Sequence, residues 1–176
     1  MKKLMIVALL LIGFGISASA QNRGVGVNIG YGNEVSKSSF GIKALYDITE
    51  SFTIAPSIYF YLPETESASE SGINAEAKLK CWDINTNIHW NFYNDKKSRL
   101  YTLAGVSYFN EKLCAEVSTE GHKEKACESY GQFGINLGLG GQMNLSERWA
   151  ASAEIKYQIF EDVGQFVPSL SLIYKF

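Results

Sequence analysis

Trp82-Asp83-Ile84-Asn85-Thr86-Asn87-Ile88-His89-Trp90-Asn91-Phe92 is the stretch whose reading decides the fold. Trp82, Ile84, Thr86, Ile88, Trp90 and Phe92 fall on one side of an extended chain. Asp83, Asn85, Asn87, His89 and Asn91 fall on the other. A helix, with 3.6 residues per turn, would scatter these two sets around its circumference. A strand, with side chains alternating between faces, separates them completely.

The same period of two recurs to both ends of the chain. Val25, Val27, Ile29 and Tyr31 alternate with glycines and Asn28. Phe40, Ile42, Ala44 and Tyr46 alternate with Gly41, Lys43, Leu45 and Asp47. Phe52, Ile54, Ile58 and Phe60 alternate with Thr53, Ser57, Tyr59 and Tyr61, and Phe133, Ile135, Leu137 and Leu139 with Gln132, Asn136 and glycines. Trp149, Ala151, Ala153, Ile155, Tyr157 and Ile159 alternate with Ser152, Glu154, Lys156 and Gln158. Phe166, Leu170, Leu172, Tyr174 and Phe176 close the series. With Leu100–Asn110, whose phase the sequence leaves open, this predicts eight strands of about ten residues, the length a tilted strand needs to cross a bilayer. Pro56 and Pro168 fit uneasily, because a closed sheet has no edge where a missing N–H goes unnoticed.

The apolar face carries no charge within any strand core, although Lys80 precedes one strand on that face and could snorkel. Lys43, Asp47, Asp83, His89, Glu154, Lys156 and Lys175 all lie on the other face. Alternation does not say which face is outside, but two features do. The connections at Asp47–Ser51, Asn94–Ser98 and Leu145–Arg148 are tight, whereas 63–78 and 110–129 are long and polar. Short turns at one end and longer loops at the other characterise membrane barrels. The aromatics of the apolar face also cluster at strand ends. Tyr46, Phe52, Trp90, Phe92, Trp149, Tyr174 and Phe176 lie near the tight turns, and Tyr31, Phe40, Phe60, Trp82, Phe133 and Phe166 near the long loops. Two aromatic girdles around an aliphatic belt match the two interfaces of a bilayer.

The ending Leu170-Ser171-Leu172-Ile173-Tyr174-Lys175-Phe176 resembles the C-terminal signal read by the barrel-assembly machinery of Gram-negative outer membranes. Leu170, Leu172, Tyr174 and Phe176 carry that resemblance. By pattern, the chain after residue 20 resembles the small eight-stranded outer-membrane barrels of the OmpA-barrel and OmpX type. The resemblance implies an all-β, up-and-down antiparallel transmembrane barrel in the outer membrane. Its partners would be outer-membrane lipid, lipopolysaccharide and, during biogenesis, the assembly machinery. A monomer is expected.

The N-terminus reads as an address. Lys2 and Lys3 precede an apolar run from Leu4 to Ile16, followed by Ser17-Ala18-Ser19-Ala20. This is the pattern of a secretory signal cleaved after Ala20. Thirteen residues of helix fall short of the roughly 30 Å hydrocarbon core, which argues against an anchor. One barrel domain, 21–176, remains. The whole chain has 176 residues and net charge −2, with 16 Lys and Arg against 18 Asp and Glu, so no basic stripe for nucleic acid is available.

Eight strands enclose a lumen only wide enough for side chains. Lys43, Lys156 and Lys175 balance Asp47, Asp83 and Glu154 across it, which predicts a charge-paired, closed interior. Export permits disulfides. Cys114 and Cys127 sit symmetrically in 110–129, and strand pairing would bring them opposite one another. Cys81–Cys114 and no bridge are the alternatives. His89 and His122 lack the His-x-Ser spacing of lipid-modifying barrel enzymes, so no catalytic residue is assigned, nor any metal or cofactor. The expected role is structural support or surface interaction through the extracellular loops 63–78 and 110–129. A protruding β-edge there could recruit proteins by strand addition if the strands extend past the membrane. A small porin, a soluble periplasmic lipocalin-like binder and a lipid-modifying enzyme are the alternatives.

Overall fold

The computed structural model describes residues 23–70, 73–119, 122–161 and 163–176. The expected signal segment, 1–20, lies outside them. Among the described residues the chain forms strands β1 (Arg23–Gly32), β2 (Lys37–Asp47), β3 (Phe52–Tyr61), β4 (Glu64–Glu70), β5 (Ile73–Asn94), β6 (Ser98–Thr119), β7 (His122–Asn144), β8 (Trp149–Ile159) and β9 (Gly164–Lys175). Each strand pairs antiparallel with its neighbours in the order β3-β2-β1-β9-β8-β7-β6-β5-β4. A further ladder from Phe52↔Trp90 to Phe60↔Trp82 joins β3 to β5 and closes the sheet into a barrel. β4 resumes the line of β3 after Leu62-Pro63 and pairs with the far end of β5. The closed barrel therefore has eight strand positions, as the periodicity predicts.

Burial is inverted relative to a water-soluble protein. Val27 is 64% exposed, Leu139 60% and Phe133 68%, whereas Lys43 is 1% exposed and Asp83 0%. The apolar face lies outside, where only lipid makes it favourable. β6 takes the phase the sequence left open: Tyr101, Leu103, Ser107 and Phe109 point inward, and Val106 outward.

Both girdles form. Phe40 meets Phe60 at 5.9 Å, Trp82 meets Tyr108 at 5.7 Å, Tyr108 meets Phe133 at 4.9 Å and Tyr157 meets Phe166 at 4.6 Å between centroids. At the tight-turn end Trp149 meets Tyr174 at 5.2 Å, and Arg23 lies 5.3 Å over the Tyr46 ring. Two tyrosines of the upper girdle reach over glycines of the next strand with their phenol ends, Tyr108 over Gly131 and Tyr157 over Gly164. A side chain at either glycine would displace the phenol.

The prolines are accommodated at gaps in the ladders. The β2–β3 register is continuous except beside Pro56, where the pairs between Lys43↔Ser57 and Tyr46↔Ile54 are missing. Pro168 comes just after the last β1–β9 pair, Gly30↔Ser169, so its absent donor falls where that ladder has ended.

One expectation is overturned. Segments 63–78 and 110–129 are not long loops, and not all strands are about ten residues long. β5, β6 and β7 run 22, 22 and 23 residues, and their upper parts leave the barrel as a sheet edged by β4. Alternation persists there with small apolar residues, Ala77 and Leu79 on β5, and Leu113 and Ala115 on β6. Its glutamates, serines and lysines give it the composition of a loop without its backbone.

The facing predicts a sharp contrast between two exposed apolar positions. Ile155→Arg, in the lipid belt of β8, should destabilise the protein by about 2–4 kcal/mol in urea unfolding from lipid vesicles. Leu113→Arg, in the protruding part of β6, should change stability by less than about 0.5 kcal/mol, as surface substitutions in water do. Equal losses would place both residues in the same medium and contradict the facing.

Candidate functional site

The lumen is filled in layers stacked along the barrel. At the tight-turn end Arg99 forms a two-pronged ion pair with Asp47, with Nη1 on Oδ1 and Nη2 on Oδ2, each at 2.9 Å. The Thr53 hydroxyl donates to the same carboxylate at 2.5 Å, and Asn91 Nδ2 donates to Thr53 Oγ1 at 3.2 Å. Beneath this layer opens a cavity of about 470 Å³, whose wall includes Asp47, Glu50, Arg99, Asn144 and Lys175.

The middle layer is built around Glu154. Lys43 Nζ lies 2.6 Å from its Oε2, and the Tyr101 hydroxyl donates to its Oε1 at 2.6 Å. His89 stacks on the Tyr101 ring at 4.2 Å with Nε2 3.9 Å from the carboxylate. β2, β5, β6 and β8 each contribute one of these side chains, so the layer ties opposite walls of the barrel together.

The next layer is largely amide. Asp83 accepts from Asn85 Nδ2 at 2.6 Å and from the Tyr61 hydroxyl at 3.0 Å. Asn85 Oδ1 in turn accepts from Asn136, Lys156 and Gln158 at 2.8–3.0 Å. Lys156 also sits 4.8 Å above the Tyr59 ring. Over these lies an aromatic cap of Tyr59, Tyr61, Phe109 and Phe160 with Cys81, against which Val35, Leu79 and Val163 pack.

The inward residues singled out by sequence thus divide. Lys43, His89 and Glu154 meet in one layer; Asp83 and Lys156 share Asn85 in another; Asp47 lies in a third. Lys175 joins none of these and donates to Asn144 at the cavity wall, at 3.0 Å. Arg99 and Tyr101 lie outside the set that the sequence assigns to this face, whereas Asn136 belongs to it without being singled out. Fixing the phase of β6 would have pointed Arg99 and Tyr101 inward. The signal for Asn136 was its place between inward glycines on β7.

Cys114 and Cys127 are directly opposite in the β6–β7 register and form a disulfide. Cys81 is a free, buried thiol. The Cys81–Cys114 alternative fails on parity, because Cys81 faces Glu111 across β5–β6 and points inward, whereas Cys114 belongs to the outward rung with Lys78. The disulfide lies on the protruding sheet. β7 from His122 to Gly134 pairs with β6 alone, since β8 joins only at Ile135↔Ile159. β4 pairs only with β5. Among the described residues the sheet therefore presents two unpaired edges.

A closed sheet that exposes apolar side chains between two aromatic girdles and buries its charges is a transmembrane β-barrel. The family model for the outer membrane protein beta-barrel domain matches residues 6–176, and the chain belongs to that family. No curated protein matches the chain. Among solved structures it is similar to Neisserial surface protein A, at 15% identity over 90% of this chain and 100% of that one, with a TM-score of 0.59. It is similar to the N-terminal barrel domain of Pseudomonas aeruginosa OprF, at 14% identity over 90% and 100%, with a TM-score of 0.57. It is also similar to the attachment invasion locus protein Ail of Yersinia pestis, solved with the heparin analogue sucrose octasulfate, at 17% identity over 88% and 95%, with a TM-score of 0.53. At these identities the likeness is one of fold.

The Glu154 layer should behave as a coupled unit. Lys43→Met alone leaves a buried carboxylate without its cation and should cost about 3–5 kcal/mol in vesicle unfolding. Lys43→Met with Glu154→Gln removes both charges and should recover most of that loss. Additive losses would show that the pair is not coupled. Reduction of Cys114–Cys127 should make the β6–β7 hairpin more sensitive to protease. It should leave the barrel's resistance to SDS unchanged.

Proposed function

We propose that this outer-membrane barrel is closed to solutes and serves as a rigid base for the protruding sheet, which makes contacts at the cell surface. The observation that carries this reading is the filled lumen, with the Asp47–Arg99 layer at one end and the aromatic cap at the other. An eight-stranded barrel leaves no aqueous channel once its interior is occupied. In this reading the buried charges are structural, and His89 is stacked on Tyr101 within the Glu154 layer rather than placed to act on a substrate. The protein is a non-enzymatic monomer, exported by a signal cleaved after Ala20 and inserted through the Leu170, Leu172, Tyr174 and Phe176 ending.

The protruding sheet supports the second half of the proposal. Its two open edges offer main-chain donors and acceptors to an extended partner segment, the chemistry of strand addition. Function usually resides in such projections from a rigid scaffold. The disulfide holds one hairpin in register when no partner is present.

Two measurements test these halves separately. The purified chain in planar bilayers should show no stable open state; a reproducible conductance of nanosiemens scale would overturn the closed lumen and favour the small-porin reading. Replacing residues 113–128 by Asn-Gly should leave the heat-dependent shift on SDS gels intact while reducing attachment of expressing cells to protein-coated surfaces. Unchanged attachment would remove the sheet from the function.

A further inference from the structure

The protruding sheet has an inner face as well as two edges. Its strands rise on one side of the barrel only. β4, β5, β6 and β7 form a high wall, whereas the connections of β1 to β2 and of β8 to β9 end at the aromatic cap, where Val35 and Val163 pack on it. Among the described residues no strand stands opposite the high wall, so its inner face looks across an open mouth.

The first rung of that face is Cys81↔Glu111↔Tyr130, the second Leu79↔Leu113↔Glu128 and the third Ala77↔Ala115↔Ala126. β4 continues the second rung with Glu64 and the third with Glu66. Leucines thus hold the centre of the second rung, with glutamates at both ends. Leu113 is 50% exposed and Tyr130 57%. In the lipid belt such exposure is favourable, but above the girdle it meets water, and an apolar patch with a charged rim marks a surface that a partner covers. A glutamate opposite a leucine and another opposite a tyrosine form neither an ion pair nor an apolar pair across the ladder. Glu111 and Glu128 take part in none of the ion pairs among the described residues. They stand about 7–8 Å apart on the diagonal, a distance that alternate side chains of an extended segment match.

Charge selects the occupant. These three rungs hold no Lys or Arg among the described residues, and Lys78, Lys80 and Lys112 all lie on the outer face. Lys37, the cation within electrostatic reach of Cys81, is buried on β2. A second copy would bring the same carboxylates against this face and be repelled, as would an anionic lipid head. The chain itself does not supply a cover: residues 1–22 continue from Arg23 at the tight-turn end, and 71–72, 120–121 and 162 are too few. A segment that carries both apolar and cationic side chains satisfies the leucines and the glutamates together.

We propose that the inner face of the protruding sheet docks a cationic amphipathic segment of a partner protein, its apolar side chains on Leu79, Leu113 and Tyr130 and its lysines or arginines on Glu111 and Glu128. This docking rests on the projection's role as a contact surface, and it uses the inner face rather than the edges.

The test uses the full mature chain in phosphatidylcholine nanodiscs, titrated with a fluorescein-labelled hexapeptide of alternating lysine and leucine, with empty discs as the blank. Each variant is first checked for the heat-dependent gel shift. The wild type should bind this peptide saturably and should not bind its glutamate–leucine counterpart. Glu111→Gln with Glu128→Gln should weaken binding about five-fold, and Leu113→Ser about ten-fold. Glu76→Gln with Glu116→Gln, the same loss of charge on the outer face, should leave binding unchanged. Equal weakening by the two glutamate pairs would overturn the docking face, because it would indicate net charge alone. Tighter binding of a serine–leucine peptide would overturn it in favour of a neutral apolar ligand, and self-association of the wild type lost in Leu113→Ser would do so in favour of a second copy. No saturable binding by a gel-shifting wild type would overturn it outright. If replacing residues 113–128 still reduces cell attachment in that event, the contact role stands and this face alone is wrong; unchanged attachment would remove the contact role itself.

Discussion

Backbone hydrogen bonding in lipid is the constraint on which this structure depends. No water reaches the hydrocarbon core, so every N–H and C=O placed there must find a partner within the sheet. The β3–β5 ladder from Phe52↔Trp90 to Phe60↔Trp82 meets that demand by removing the last two edges. Closure at eight strands then fixes the width of the lumen, and the width dictates the rest. The interior is too narrow to be a water channel and must be filled by the inward half of each strand. The period of two assigns that half to residues of opposite character from those facing lipid.

Filling such a space with charges is costly unless each charge is matched, because few polar groups tolerate burial without partners. The barrel meets this by dividing its charges into small sets rather than one long network. Asp47 is matched by Arg99, and Glu154 by Lys43. Asp83 and Lys156 are not in direct contact but share Asn85, whose amide donates to one while its carbonyl oxygen accepts from the other. Glycines on β1 and β7 make room for these long side chains. Gly140, beside both Glu154 and Tyr101, is a clear case, since a Cβ there would collide with both.

The facing of the barrel was legible because alternation is strict wherever one side of a strand meets lipid. The inward set from Lys43 to Lys175 follows from parity alone. Arg99 was not legible. It lies one residue ahead of the stretch Leu100–Asn110 that the sequence marks as a strand, and with the phase of that strand open no face could be assigned to it. Pairings between layers were also out of reach, because parity assigns a face but not a height. The extension of β5, β6 and β7 was hidden by composition: serine, glutamate and lysine read as loop when the apolar residues between them are mostly alanine.

That last omission has a physical cause deeper than composition. Below the row of Trp82, Tyr108 and Phe133 the outer face is apolar and the inner face polar. Above it the signs exchange. The outer face carries Lys80, Lys112 and Lys78. The inner face carries Leu79 and Leu113, with Leu79 resting on the aromatic cap of Tyr59, Tyr61, Phe109 and Phe160. The backbone passes through this exchange without a break, and the period stays at two. A reading that follows periodicity registers a strand on either side but not the change of solvent, which shows only in the sign. The cap sits at the level of the exchange because it belongs to both regimes. It is the top of a filled lumen and also the start of the apolar face of an ordinary water-exposed sheet. The barrel and the projection are therefore one set of strands crossing from lipid into water, with the aromatic row as the boundary.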